Sequence, residues 1–549
     1  MGIHNFFKWY KANFKNTITY NITKYNNLQT KQILIDNLLI DTNGIIHNSA
    51  QKIFKYGNYE NKINNIQVKQ SVFEVYKDVC FSINEIVKIS LPQKRIIIAI
   101  DGVAPLSKMY QQRQRRYKAF DPEKPLSKEI FTSSAISPGT EFMDGLSRYL
   151  SEYISRQLIR DYNWKKLEII FLNEKTPGEG EHNCINQIKN YDKNETHCFY
   201  GADSDIIMLS LIKHDYKFHI LRDNFYFKEN EYISIDISSL SVALKYMLKC
   251  ECKNFNEDNS IEDFVFLCFT VGNDFLPNIP TLEIIEGGID TIIMIYKNVY
   301  SKYGHFVKTS INGKYKFFNK EALKDFFRVV ACLEQRQLEH KFNNTDSYFE
   351  DKIYNECIDE NKILDITKYR KKYYKQKLKA KNLATLENIC HKYLDGLNFV
   401  LNYYTNNIPD WEFIYDNNYA PSAFYLHRFI DIYNHKPFKQ TYPVLPFVQL
   451  LYILHPKHHY LLPEPYQDIH KQPELSNYFP YEFEEDLDGK YQDWQAVAII
   501  PFIDINILKN IHNKYNAQYK YNRNSHGKCI KFININNKIS KIFENFKNT

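Results

Sequence analysis

The sequence reads as an α/β protein, with a mostly parallel central sheet flanked by helices and a helical, irregular second lobe. Two observations carry this reading. From residue 31 to about 290, short apolar runs alternate with amphipathic stretches of helical period, the pattern of parallel strands joined by crossover helices. Beyond residue 400, Pro and Tyr are dense and the apolar runs are short, which favours irregular structure over an independent sheet. The expected division is a core at 1–290, a helical linker or projecting segment at 291–400, and a second lobe at 401–549.

Strands are predicted at Ile33–Ile40, Arg95–Ile100, Leu167–Leu172, His197–Tyr200 and Phe218–Leu221, where apolar residues run together. Helices are predicted at Val68–Lys88, Gly139–Arg160, Glu181–Lys189 and Ile206–Lys213. Residues 262–271 read as a strongly apolar helix closed by Gly272-Asn-Asp274. The charged stretch 359–382, centred on Arg370-Lys-Lys-Tyr-Tyr-Lys, reads as a projecting or packing helical segment. Asn534 to Thr549, rich in Asn and Lys, is expected to be loosely ordered.

Composition narrows the function classes without choosing among them. Hydrophobic residues make up 44% and charged residues 25% of 549, an ordinary globular balance. The net charge of +7 permits a polyanionic partner and does not demand one. The 43 tyrosines supply many platforms on which bases can stack. Ten scattered cysteines have no paired zinc-finger spacing, so reduced thiols and an intracellular, cytoplasmic setting are expected. No apolar run approaches the length of a membrane span.

The chemistry is suggested by acids at the ends of apolar runs. Asp41, Asp101, Asp203 and Asp205 follow predicted strands; Glu179 and Glu181 sit in the glycine-punctuated turn Thr176-Pro-Gly-Glu-Gly-Glu-His182; Asp274 follows the 262–271 helix. In a parallel sheet the strand ends share one face. Seven carboxylates gathered there would repel unless cations neutralised them. Oxygen ligands without a His/Cys cluster favour Mg²⁺ or Mn²⁺ over zinc. Two such ions are an apparatus for phosphodiester hydrolysis. Directly after Asp101 comes a cationic stretch in which Lys108, Gln112 and Arg115 share a helix face with Arg116 on its flank. That face can hold a phosphate with several donors. Any one of these acids would more often be a cap or loop carboxylate; the set is far more specific than its members.

These segments closely resemble the XRN family of 5′→3′ exoribonucleases. The resemblance runs in order through Met1-Gly-Ile-His-Asn-Phe-Phe-Lys-Trp, Leu39-Ile-Asp41-Thr-Asn-Gly-Ile-Ile-His47-Asn and Ile100-Asp101-Gly-Val-Ala-Pro. It continues through Ser137-Pro-Gly-Thr-Glu-Phe-Met143, Pro177-Gly-Glu-Gly-Glu-His182, Tyr200-Gly-Ala-Asp203-Ser-Asp205 and Gly272-Asn-Asp-Phe-Leu-Pro277. A second family region is matched by Tyr419-Ala-Pro421, Leu461-Leu-Pro-Glu-Pro-Tyr466 and Trp494-Gln-Ala-Val-Ala…Pro501-Phe-Ile-Asp504. The resemblance implies a core like that of PIN and flap nucleases, with the second region completing the pocket. It implies that the seven acids bind metal, and that Lys108, Gln112, Arg115 and Arg116 hold the substrate's 5′-monophosphate. It also implies that His47 stacks on the terminal base opposite an aromatic residue, for which Trp411 and Phe413 are the candidates.

The expected activity is therefore removal of nucleoside 5′-monophosphates from 5′-monophosphorylated single-stranded RNA by a monomer, in RNA decay, with decapping factors among the conceivable partners. Leu106 stands where the family usually has Arg, and Ile505 where it usually has an acid; both bear on fine binding. No counterpart of the larger members' extra domains follows Asp504, so a compact, core-only member is expected, its composition suiting a viral or protist origin. Two other readings are a flap-type DNA nuclease, which lacks the Lys108–Arg116 pocket and the 400–504 region, and a catalytically silent RNA-binding scaffold, which retention of every matched acid argues against.

Overall fold

The computed structural model describes residues 3, 5–59, 71–120, 131–224, 231–252, 255–310, 312–343 and 348–544. Its centre is a nine-stranded sheet. Seven strands come from the front of the chain: β1 Ile18–Ile22, β2 Asn37–Asp41, β3 Arg95–Ala99, β4 Glu168–Leu172, β5 Thr196–Tyr200, β6 Lys217–Asp223 and β7 Tyr232–Asp236. The spatial order is β1-β7-β6-β5-β2-β3-β4, followed by a C-terminal hairpin of strands Cys529–Ile535 and Lys538–Glu544. The run β6-β5-β2-β3-β4 is parallel throughout. The edges are antiparallel.

All five predicted strands are present. β1, β7 and the C-terminal hairpin are additional. The register explains why the acids meet: Asp41 lies opposite Ala99, Ile40 opposite Tyr200, and Ala99 opposite Leu172, so β2, β3, β4 and β5 finish level with one another. Alternation sends the same strands into two hydrophobic cores. Leu38, Ile40, Ile96 and Ile98 face the helices Val72–Ser90 and Glu141–Arg160. Leu39, Ile97 and Phe199 face the helices Ser204–Ile212 and Glu257–Cys268. Burial on both faces is the reason β2 is apolar between Asn37 and its final aspartate. The helix predicted at Val68–Lys88 runs from Val72 to Ser90; positions 68–70 lie outside the described residues.

The rear of the chain is less separate than its composition suggests. Leu394, Leu397, Val400 and Leu401 of the Leu383–Thr405 helix enter the same core as β2 and β3. Within 359–382, the Ile366–Gln376 helix packs rather than projects: Tyr369 is buried and Arg370 Nε donates to Glu334 at 2.8 Å. Beyond residue 405 the elements are short, with helices such as Pro446–Ile453 and a two-stranded pairing of Glu484–Asp486 with Val497–Ile499. All ten cysteines are free thiols. Among the described residues, no helix is long and apolar enough to cross a membrane.

The segment from Asn534 to Glu544 corrects the sequence expectation, for it belongs to an ordered hairpin. Ile530, Lys531 and Phe532 pair with Phe171, Ile170 and Ile169 of β4, and the Phe532 ring is fully buried in the core. This hairpin covers an edge that would otherwise be open to another chain. Phe532→Ala is expected to cost about 3 kcal/mol of stability, measured as the shift of the urea unfolding midpoint.

Candidate active site

Loops after the level strand ends build an acidic wall. Asp41 is the last residue of β2, and Asp101 follows β3 by two positions. Glu179 and Asp203 occupy the N-cap positions of the helices Gly180–Ile188 and Ser204–Ile212, and Glu181 and Asp205 lie in their first turns, where the helix dipole favours negative charge. Two glycines allow this crowding. A Cβ on Gly102 would fall 1.8 Å from the Thr176 carbonyl oxygen, and one on Gly180 would meet Asp41 Oδ1 at 3.0 Å. Gly180 N–H donates to Asp101 Oδ1 at 2.7 Å. Asn43 ties two acids together: its backbone N–H donates to Asp41 Oδ1 at 3.2 Å and its side-chain amide donates to Asp101.

Among the described residues, two groups of side chains could hold a metal ion. Asp41, Asp101 and Glu181 form one, and Glu179, Glu181 and His182 the other; in each, the candidate ligand atoms all lie within 4.8 Å of one another. Glu181 belongs to both. Neither nitrogen of His182 has a hydrogen-bond partner among the described residues, although burial and the Lys108 charge keep the ring neutral. A neutral imidazole with an unengaged nitrogen beside two carboxylates fits a divalent cation. His182 was absent from the acids singled out in the sequence, although it stands in the same Glu-Gly-Glu-His motif.

The electrostatics are those of buried carboxylates crowded together. Burial, followed by Asp101 and Asp203, raises the Asp41 carboxyl well above its usual range. Burial and Glu179 push Glu181 in the same direction. Asp101 is raised to about 6 by burial and Glu179, and Asp205 to about 7 by burial and Asp274. Asp274 is the opposite case. Burial works against its ionisation, but Lys108 outweighs burial, and the carboxyl is held well below its usual range.

The structure brings most of the predicted residues to one cavity of about 950 Å³. Asp41, Asp101, Glu179, Glu181 and Asp203 line it, as do His47, Lys108, Gln112, Arg115 and Arg116. Asp205 and Asp274 are not part of its lining. Asp205 accepts a hydrogen bond from the Tyr404 hydroxyl at 2.6 Å. Asp274 accepts from Lys108 Nζ at 2.6 Å and from Gln111 Nε2 at 3.0 Å.

The Leu106–Lys118 helix has two working faces. One is anchored in the rear of the chain. Buried Arg113 donates to the Tyr452 carbonyl at 2.7 Å, and the Tyr110 hydroxyl to Asn418 Oδ1 at 2.8 Å. The other face carries the predicted cations, with one difference. Lys108 is buried and ion-paired with both Glu179 and Asp274, so in this arrangement it balances the acids rather than joining the arginine end of the wall. Arg115 is exposed, and Arg116 donates from Nη2 to Ser137 Oγ at 2.6 Å. Burial, with Arg115 and Arg116 nearby, lowers His47 to about 4, which leaves a neutral ring at pH 7.

Trp411 and Phe413 do not line the cavity with His47. The Trp411 carbonyl accepts from Leu106 N–H at 2.9 Å, and Phe413 stacks on Phe399 with centroids 4.6 Å apart. Both brace the start of the cationic helix.

The Leu383–Thr405 helix supplies residues that the sequence reading missed. The Tyr403 hydroxyl donates to Glu179 and the Tyr404 hydroxyl to Asp205. Both are fully or almost fully buried, and His182 packs on Tyr403 with centroids 3.9 Å apart. Groups that orient metal ligands commonly alter affinity 10- to 100-fold. Tyr403→Phe, which removes the hydrogen bond to Glu179, is expected to weaken Mn²⁺ binding about 10-fold without changing the far-ultraviolet circular dichroism, as calorimetric titration would show.

Comparison with known proteins agrees with this geometry. Residues 1–224 match the family model described as the XRN 5′-3′ exonuclease N-terminus, and residues 254–352 and 328–549 match the Xrn1 helical domain. The human protein named 5′-3′ exoribonuclease 1 is 26% identical over 96% of this chain and 35% of its own length. An Arabidopsis thaliana 5′-3′ exoribonuclease 2 is 28% identical over 85% of this chain and 61% of its own length. A Saccharomyces cerevisiae 5′-3′ exoribonuclease 1 is 26% identical over 85% of this chain and 40% of its own length. The chain thus spans between about a third and three fifths of these relatives. With family matches covering both the sheet that presents the acids and the helices that brace them, the chain belongs to the XRN family.

Proposed function

We propose that this protein is a 5′→3′ exoribonuclease that releases nucleoside 5′-monophosphates from 5′-monophosphorylated single-stranded RNA, with two Mg²⁺ or Mn²⁺ ions, in cytoplasmic RNA decay. One observation carries the proposal: a single cavity holds both the Gln112–Arg115–Arg116 cluster and the acidic wall. A nuclease that begins at an end needs a terminal anchor and a cleavage centre side by side.

Each residue then has a role. Arg115, Arg116 and Gln112 bind the terminal phosphate, with Arg116 oriented by Ser137. His47, neutral, offers a flat face to the first base without reading its identity. Asp41, Asp101 and Glu181, with Glu179 and His182 alongside, hold the cations. When bound, divalent cations supply activation of water and neutralise charge at the leaving oxygen. Asn43, Tyr403 and Tyr404 keep the carboxylates in place. Lys108 offsets the charge of Glu179 and Asp274.

The test is to incubate RNA and DNA single strands bearing 5′-monophosphate, 5′-hydroxyl or 5′-triphosphate ends with the protein and Mg²⁺. Mononucleotides released chiefly from 5′-monophosphate RNA support the proposal. Flap incision or absence of turnover would overturn it.

A further inference from the structure

The cavity wall continues past His47. Asn48, Gln51 and Lys52 extend it along the Asn43–Phe54 helix, and it then passes to Asp78, Phe81 and Ser82 on the Val72–Ser90 helix. Lys52 Nζ donates to Asp78 Oδ1 at 2.6 Å where the two helices meet. From His47 to Lys52 the helix rises about 7 Å, room for two stacked bases at about 3.4 Å each.

Phe81 is unusual on this wall. It is 59% exposed, and among the exposed large hydrophobic side chains of the described residues it is the one that lines the cavity. Its helix has a well-formed buried face, with Val79, Ile83 and Ile86 in the core, so Phe81 does not serve that packing. Phe73, exposed on the same helix, is covered by Tyr149 at a centroid distance of 5.1 Å and by Lys77 at 4.9 Å. Phe81 has no ring contact among the described residues. The same wall carries Asn48, Gln51 and Ser82, able to bond a sugar or phosphate, beside the Lys52–Asp78 ion pair.

We propose that Phe81 is a stacking platform for a base of the incoming strand, at a nucleotide 3′ of the one held against His47. The ligand is a nucleobase of any identity, because every base has a π-face. This rests on the reading of the cavity as a channel for unpaired nucleic acid.

The test uses the full chain and a 5′-phosphorylated 12-nucleotide RNA whose first linkages are phosphorothioates. The fluorescent base 2-aminopurine is placed in turn at each of the first six positions. The wild type is expected to quench at the terminal position and again at an inner one. Phe81→Ala should lose the inner quench alone and raise the KM of the unmodified RNA roughly 10-fold. Phe81→Trp should retain both, and turnover of a dinucleotide should be unchanged in either variant. An inner quench that persists in Phe81→Ala overturns the role of Phe81 while leaving the channel intact. No quench at any position in the wild type overturns the channel itself.

Discussion

Glu181→Gln is expected to lower turnover by roughly 10³-fold or more and at the same time to stabilise the metal-free protein. Both effects come from one side chain. Glu181 is the acid shared by the two candidate metal groups, so losing its charge weakens both. In the absence of cations that charge is a liability, since burial and the neighbouring Glu179, Asp41 and Asp101 carboxylates raise its pKa well above the ordinary value. An acid whose pKa is raised on folding favours the folded state below the unfolded pKa, near 4, and loses that contribution as pH rises through the folded pKa. With Asp101 at about 6 and Asp205 at about 7, the melting temperature in chelator should fall steadily between pH 5 and 8. The Gln variant should fall less, melting about 2 °C higher at pH 8. Mn²⁺ should flatten the wild-type profile. Identical slopes for both proteins in chelator would show that Glu181 is not charged against its neighbours.

The second large effect is expected at the cationic end. Arg116→Ala should reduce kcat/KM on 5′-monophosphate RNA by about 10²-fold and leave the slow cleavage of 5′-hydroxyl RNA unchanged, erasing the preference. Arg116 donates both to Ser137 Oγ and, at 3.3 Å, to the Gln112 carbonyl, so its guanidinium is already aimed before substrate arrives. Ser137→Ala removes only the aim and should cost less, about 5-fold. A loss of equal size on both substrates would instead assign Arg116 to folding.

The parts legible in the sequence were those with local causes. Strands buried on both faces must be apolar, and β2 and β3 announced themselves by their runs up to Asp41 and Asp101. The Lys108–Arg116 face was readable because helical spacing is local. What could not be read depends on partners far away in the chain. Tyr403 and Tyr404 sit among 43 tyrosines, and nothing nearby distinguishes the two whose hydroxyls reach Glu179 and Asp205. The place of Lys108 on the cationic face was visible from periodicity, and its pairing with Asp274 was not. Trp411 and Phe413 were placed by their neighbourhood, yet the backbone there turns to brace Leu106 instead. The terminal hairpin was misjudged on composition, although Cys529-Ile-Lys-Phe-Ile-Asn-Ile holds a Phe532 that only β4 explains.

That hairpin also sets a timetable for synthesis. β4 is complete at Leu172, but the strand that pairs with its outer edge begins at Cys529. At 5–20 residues per second, a ribosome needs roughly 20–70 s to cover that interval. During it the apolar outer edge of β4, which is paired and buried in the finished sheet, is uncovered, the kind of surface that recruits chaperones or neighbouring nascent chains. A message cut short anywhere in that span would therefore yield a sticky product rather than a smaller enzyme. Correct assembly of the sheet is in effect a proof that translation ran on to the hairpin.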